Sequence, residues 1–200
     1  MVEGKKFVVV VPAKDYVFSE FALALRLMRF PPNSQVVYAL NKKEANTSRN
    51  EMVEKSPPDS DYVLFLEDNI LLPQDGIERL LSNDKDIVAA LHFQSNAPFS
   101  PLLFKANAKG NYSPLFDYEN NKLLEVDSTG LGALLVKRKV FDKLKKPYFE
   151  AHPFSFFKKA KEAGYKVYCD TSVKCHSMGV NMINEGVWEN IKEDVKKQAK

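Results

Sequence analysis

Apolar and polar positions change period repeatedly along the chain, and each change marks an element. Phe7 to Val11 is an unbroken apolar run closed by Pro12, the pattern of a strand covered on both faces. Phe18, Phe21, Ala22, Leu25 and Met28 then recur at helical spacing, until Pro31 and Pro32 stop the helix. Gln35 to Leu40 returns to strand. Asn46 to Lys55 predicts a second helix, capped by Asn46, Thr47 or Ser48 and broken at Pro57-Pro58. Tyr62 to Leu66 is a third strand, Ile77, Leu80 and Leu81 line a short helix, and Ile87 to Leu91 is a fourth strand. Strands alternating with helices at this spacing predict βαβ units around a largely parallel sheet.

The second half has another texture. Pro98, Pro101, Gly110 and Pro114 punctuate Ala97 to Leu124, which predicts loops and short antiparallel strands. Gly130 and Gly132 introduce the apolar run Leu131 to Val136, and a helix follows from Lys139 to Leu144. A further helix, Phe154 to Ala163, ends at Gly164 in a left-handed cap, and Tyr165 to Tyr168 is again strand. Trp188 to Lys200 reads as a polar terminal helix. The expected fold is one α/β domain over residues 1–186, Rossmann-like with a small antiparallel element, followed by a basic helix or tail over 187–200.

Composition narrows the function classes. A chain of 200 residues, 44% hydrophobic and 28% charged, buries a real core in one domain or at most two small ones. Its net charge of +3 is dispersed, which argues against a nucleic-acid partner. The lysine runs at 137–146, 158–161 and 192–200 read as solvated helix faces, with an anionic substrate or membrane surface as the alternative. Cys169 and Cys175 give no disulfide framework and favour a reducing compartment. No apolar stretch approaches membrane-spanning length and no leader-like segment precedes Phe7. A cytoplasmic protein, peripheral at a membrane surface at most, is the expectation. Asn46-Thr47-Ser48 and Asn111-Tyr112-Ser113 then match the glycosylation pattern by chance.

The candidate chemistry begins where the third strand ends, at Glu67, Asp68 and Asn69. Ligands of open α/β sheets bind outside the carboxyl ends of the strands. Carboxylates at the end of an apolar strand need compensation, and a divalent cation with oxygen ligands supplies it while also holding a nucleotide's phosphates. The competing reading is two solvent-facing acids that cap the turn before the next helix.

Four segments occur in one order: Asn46-Thr-Ser-Arg-Asn-Glu-Met-Val; Tyr62-Val-Leu-Phe-Leu-Glu-Asp-Asn-Ile-Leu-Leu-Pro; Thr129-Gly-Leu-Gly-Ala-Leu-Leu-Val-Lys-Arg-Lys-Val-Phe; and Lys159-Ala-Lys-Glu-Ala-Gly-Tyr-Lys-Val-Tyr-Cys-Asp-Thr-Ser-Val-Lys-Cys-His. Together they resemble the GT-A glycosyltransferases, the family-2-like group, and particularly the small single-domain versions of archaea and their viruses. The resemblance runs from Phe7 to Gly179 and is weakest across Ala97 to Leu124.

It implies a GT-A domain that moves a sugar from a UDP- or GDP-linked donor to a hydroxyl of a glycan, protein or lipid acceptor, with inversion. For a viral chain the compartment would be the host cytoplasm. It also implies Mn²⁺ or Mg²⁺ at Glu67, Asp68 and Asn69, where the family carries Asp-any-Asp, with His176 completing the coordination. Asn69 departs from that pattern, and a neutral amide is the weaker ligand, so either Asp68 takes part directly or the metal is held less tightly. By the same resemblance Pro12, Lys14, Asp15, Asn41, Arg49 and Asn50 join Glu67 and Asp68 as donor contacts, Arg49 foremost. Thr129 and Gly130 lie beside the acceptor pocket, where glycine lets a substrate approach the backbone.

The catalytic base is where the pattern breaks. The family's acidic pair falls here on His152-Pro153, with Ser155 after it. Glu150, two residues upstream, His152 itself, and Asp127 are the candidates; imidazole titrates near neutrality and suits the role. A retaining enzyme and an inactive descendant are the other ways to read the loss. Cys169, Cys175 and His176 lack a fourth ligand for zinc. Two further functions compete. A nucleotidyltransferase would need a Gly-rich phosphate loop, which Val11-Pro12-Ala13-Lys14 does not provide. A non-catalytic nucleotide-binding or structural protein would keep the fold and lose the base. The pattern leaves open the sugar, the nucleotide base, the acceptor and the oligomeric state.

Overall fold

A computed structural model describes residues 5–13, 16–32, 34–40, 44–152, 154–179 and 182–198. Lys14, Asp15 and Asn41, three expected donor contacts, and Pro153 lie outside the described residues. The first half runs β1 (Phe7–Ala13), α1 (Ser19–Leu27), β2 (Ser34–Leu40), α2 (Ala45–Lys55), β3 (Tyr62–Leu66), β4 (Ile70–Leu71), α3 (Gly76–Ser82) and β5 (Ile87–Leu91). The second half runs β6 (Leu103–Ala106), β7 (Tyr112–Pro114), β8 (Leu123–Val126), β9 (Ser128–Thr129), β10 (Ala133–Lys137), α4 (Arg138–Lys143), α5 (Ser155–Glu162), β11 (Val167–Lys174), β12 (His176–Met178), β13 (Met182–Ile183) and α6 (Glu185–Gln198).

Among the described residues the central sheet has seven strands in the order β2-β1-β3-β10-β5-β11-β8. Strands β1, β2, β3, β5 and β11 run one way, while β10, wedged between β3 and β5, and β8, on the edge, run against them. Of two three-stranded sheets, β7-β6-β9 is the antiparallel element expected in the second half, and β13-β12-β4 joins β4 of the first half to two strands that the sequence pattern did not show. Successive residues of β1 explain its unbroken apolar run: Val8 and Val10 enter the core under α2, α4 and α5, while Phe7, Val9 and Val11 enter the core under α1 and α3.

Three local differences have physical causes. The cap of α2 is Glu44, whose carboxylate accepts from the amides of Asn46 and Thr47, so the Asn-Thr-Ser run lies inside the helix. Strand β11 continues through Asp170 and Thr171 because their polar groups are satisfied: Thr171 Oγ1 donates toward the carbonyls of Glu119 (2.7 Å) and Lys122 (3.0 Å). Helix α6 starts at Glu185 and docks on the core through Trp188, which is fully buried (0% exposed). Gly164 ends α5 at φ 86°, as its position after the helical run predicts. Among the described residues no helix is long and apolar enough to cross a membrane.

Candidate functional site

The carboxyl ends of β1, β3 and β5 and the start of β10 share one edge of the sheet. The Glu67 amide donates to the Gly132 carbonyl (2.9 Å) and the Ile70 amide to the Glu67 carbonyl (3.0 Å), which folds Glu67, Asp68 and Asn69 into a turn outside the sheet. The Met178 amide donates to the Asn69 carbonyl (2.7 Å) and fixes the turn from the other side.

Arg49 projects from the first turns of α2 into this turn and is 5% exposed. Its guanidinium forms an ion pair with Glu67 Oε1 and donates to Asn46 Oδ1 (2.8 Å). Asn46 Nδ2 in turn donates to the Glu150 carbonyl (2.8 Å). One polar chain thus joins Glu67, Arg49, Asn46 and the backbone of Glu150. Asn50 has another use: its amide donates to the Phe149 carbonyl (2.7 Å) and accepts from the Phe149 amide (3.0 Å), clamping the loop between α4 and α5.

Among the described residues two cavities open along this edge, and a third lies beside α5. One of about 570 Å³ lies between the end of β1, the approach to α1 and the start of α2; Pro12, Arg49, Glu67, Asp68 and Asn69 line it, with Tyr16 and Phe18 at its mouth. A second, about 330 Å³, lies on the β5 side of Glu67 and is lined by Glu67, Asn69, His92 and Gln94 among others. The third and largest, about 980 Å³, runs between the β6–β7 hairpin and α5, and holds Glu150, His152, Tyr112 and Lys158.

The base candidates differ in their surroundings. The Glu150 carboxylate is half exposed and pairs with Lys159 through Oε1. His152 is exposed, and its Nδ1 accepts from the Phe154 amide (3.3 Å). Asp127 accepts from Lys161 Nζ (2.5 Å) and from the Ala106 amide (2.9 Å). Partial burial pushes the Asp127 carboxyl up, but the Lys161 ammonium and the Ala106 amide outweigh it and hold the group below its ordinary value.

His176 is exposed and pairs with Leu71, and the structure does not bring it among the residues lining the cavity at Glu67 and Asp68; Met178 stands there instead. Among the described residues no group of three or more His, Cys, Asp or Glu is set to hold a metal ion. The donor set at the turn, the Asp68 carboxylate and the Asn69 amide oxygen, fits a cation that arrives with phosphates, since Mg²⁺ is usually held by one or two carboxylates plus substrate oxygens. Cys169 and Cys175 are buried, free thiols, pushed up by that burial.

His92 has no part in any sequence pattern, yet it sits at the centre of this edge, 2% exposed. Its Nδ1 lies 3.0 Å from the Ala90 carbonyl. Its ring explains Gly130: a Cβ there would stand 2.2 Å from His92 Nε2. Gly132 is crowded in the same way by Ile70, His92 and Glu67. Thr129 is buried and pairs with Leu103. The one sequence signal for His92 is its position, directly after the apolar strand Ile87–Leu91.

A mostly parallel seven-stranded sheet flanked by helices, with small antiparallel sheets beside it, makes this an α/β domain with a GT-A-like fold. The sequence matches no protein-family model and no curated protein. Solved structures do match. A197 from STIV, an archaeal virus, superposes with a TM-score of 0.65 at 18% identity, over 87% of this chain and 86% of that one. GalNAc-T7, crystallised with UDP, GalNAc and Mn²⁺, gives a TM-score of 0.65 at 10% identity, over 87% of this chain and 43% of that one. TarS from S. aureus gives 0.55 at 11% identity, over 86% of this chain and 60% of that one. The chain therefore spans less than half of GalNAc-T7 and most of A197. GalNAc-T7 and TarS are GT-A glycosyltransferases, and the likeness is one of fold.

Proposed function

We propose that the protein is a glycosyltransferase that moves a sugar from a nucleotide-diphosphate donor to a hydroxyl acceptor. The observation that carries the reading is the turn Glu67–Asp68–Asn69, at the carboxyl end of β3 on the wall of a cavity also lined by the approach to α1 and the start of α2. In this reading the 570 Å³ cavity takes the nucleoside diphosphate and the 980 Å³ groove takes the acceptor. Asp68 and Asn69 would hold a Mn²⁺ or Mg²⁺ ion, which when bound neutralises charge on the diphosphate. The complex of GalNAc-T7 with UDP and Mn²⁺, and that of TarS with UDP-GlcNAc, support this choice of ligands.

Arg49 orients Glu67 and carries the positive charge that the strand end needs, so Glu67 is fixed before any ligand arrives. Glu150 is the general base of an inverting transfer. Lys159 holds one of its oxygens and the other remains to take the proton of the attacking hydroxyl, whereas Asp127 is bound at both oxygens. His152 spends its Nδ1 lone pair on the Phe154 amide.

Calorimetric titration of UDP and GDP, with and without Mn²⁺, tests the reading. Metal-dependent binding of one of them, lost in Asp68→Ala, is expected; binding of neither overturns it. Glu150→Gln should bind the nucleotide as the parent does and turn over at least about 100-fold more slowly. The non-catalytic reading draws on the same ion pairs, Glu67 with Arg49 and Glu150 with Lys159. It calls for nucleotide binding with no donor turnover by the parent protein.

A further inference from the structure

An ammonium carries a full charge and only donates, so it matches an anion better than it matches a neutral hydroxyl. The 980 Å³ groove between the β6–β7 hairpin and α5 is lined with ammonium groups. Lys158 and Lys161, three residues apart on α5, share one helix face, and Lys159 lines the groove beside them. Lys109 stands on the opposite wall, at the tip of the hairpin. That tip is a fixed turn: Asn107 Oδ1 accepts from the amides of Lys109 (2.9 Å) and Asn111 (3.1 Å), and Gly110 closes it at φ 80°.

The two walls are tied together by aromatic and polar contacts. The Tyr112 ring of the hairpin stacks on Phe154 at the foot of α5 with 4.3 Å between centroids, and Phe104 packs on the same phenyl ring at 4.8 Å. Asp127 accepts from Lys161 Nζ (2.5 Å) on α5 and from the Ala106 amide (2.9 Å) of the hairpin.

The charges of the lining are unequally matched. Glu150 pairs with Lys159, and Asp127, which is not on the lining, pairs with Lys161. Lys109 and Lys158 are exposed, and neither has a carboxylate within ion-pair distance among the described residues. Four lysines against two glutamates, Glu150 and Glu162, leave the lining positive, and Asp127 offsets only part of that excess.

We infer that the acceptor taken by this groove is an anionic sugar, one that bears a phosphate or a carboxylate, with Lys109 and Lys158 meeting that group from the two walls. Both lysines are then specificity-determining residues, selecting a charged acceptor over a neutral one. This rests on the glycosyltransferase reading, to which it adds the charge class of the acceptor.

The test is made without nucleotide or metal. Glucose, glucose 6-phosphate, glucuronate and inorganic phosphate are titrated separately into ¹⁵N-labelled protein at low ionic strength, with the backbone amide resonances followed. At least one of the two anionic sugars should bind about fivefold or more tightly than glucose and move the amides of Lys109, Gly110 and Lys158. Which of the two does so separates a phosphate from a carboxylate. Raising NaCl to about 0.5 M should remove most of the preference. The double variant Lys109→Gln/Lys158→Gln, altered only at exposed positions, should bind the anionic sugar no more tightly than glucose. No binding of either anionic sugar, equal affinity for glucose, a preference that survives in the double variant, or shifts confined to the lysines of α6 each overturns the inference. So does inorganic phosphate bound as tightly as the sugar phosphate, which would mean an adventitious ion only. Nucleotide binding is read separately with UDP and GDP. If a nucleotide binds and the anionic sugars do not, the inference falls and the glycosyltransferase reading stands. If an anionic sugar binds here and neither nucleotide does, the groove is a sugar-binding site and the acceptor role falls with that reading.

Discussion

Arg49 neutralises Glu67, one of the strand-end carboxylates for which a compensating cation is expected. A buried guanidinium beside a carboxylate at the end of an apolar strand makes that strand end stable in the unliganded protein. Arg49→Ala should therefore cost about 2–3 kcal/mol of folding stability in urea denaturation; the cost stays below that of a fully buried pair because Glu67 keeps 33% of its side chain exposed. Adding Glu67→Gln should return part of the loss, and simple additivity of the two would count against the pairing. The sequence shows both residues as site candidates and hides their pairing. Arg49 and Glu67 belong to different elements, and only the seating of α2 against β3 brings them together. His92 was illegible for a related reason. It has no acidic or glycine neighbour in sequence, and its partners Glu67, Gly130 and Gly132 come from two distant segments.

At the scale of elements, the turn between β9 and β10 is as constrained as any strand, because the His92 ring fills the space over Gly130. Gly130→Ala should destabilise by about 1–3 kcal/mol, from overpacking, and His92→Ala in the same chain should relieve most of it. Thermal or urea melts of the two single variants and the double variant decide this. Most elements of the first half were readable: β3 and β5 have the bounds that their apolar runs predict and α1 stops before Pro31 and Pro32, whereas β1 runs on through Pro12 and Ala13 and the short β4 was not expected. Their signals are local, a change of period closed by a breaker. What was not readable depends on partners elsewhere in the chain. The apolar run after Gly132 shows a strand and gives no sign that it inserts antiparallel between two parallel ones. Helix α6 reads as a polar tail, and only its packing shows the stripe of Val187, Trp188, Ile191 and Val195 against the core.

For the molecule as a whole, acid is the informative perturbant. Asp127 ties the hairpin side to α5 through Lys161 and the Ala106 amide, and its native carboxyl titrates below its ordinary value. The unfolded group binds its proton near pH 3.9, so the stabilisation is complete above that pH and drains away as pH falls through the lowered native value. It amounts to about 1 kcal/mol or less, since Lys161 is largely solvated. Asp127→Asn should be less stable than the parent at pH 7 and should converge with it toward pH 3. A difference that stays constant with pH would assign the effect to packing. Fold class and the acidic strand end were visible from sequence at this scale, because both rest on the order of elements. The two cavities on either side of the Glu67–Asn69 turn were not, since they arise from how segments of both halves meet.

Strand β10 also has a consequence for the order in which the chain is built. Residues up to Leu91 supply β1, β2, β3 and β5, yet β3 and β5 never touch; the slot between them is filled only by Ala133–Lys137, more than 40 residues further on. During synthesis both strands therefore carry open, apolar edges until β10 leaves the ribosome, the kind of edge that pairs with the wrong partner. Closing a slot by so distant a segment makes sheet completion a slow, long-range event. The two halves that share the site are thus committed to fold together.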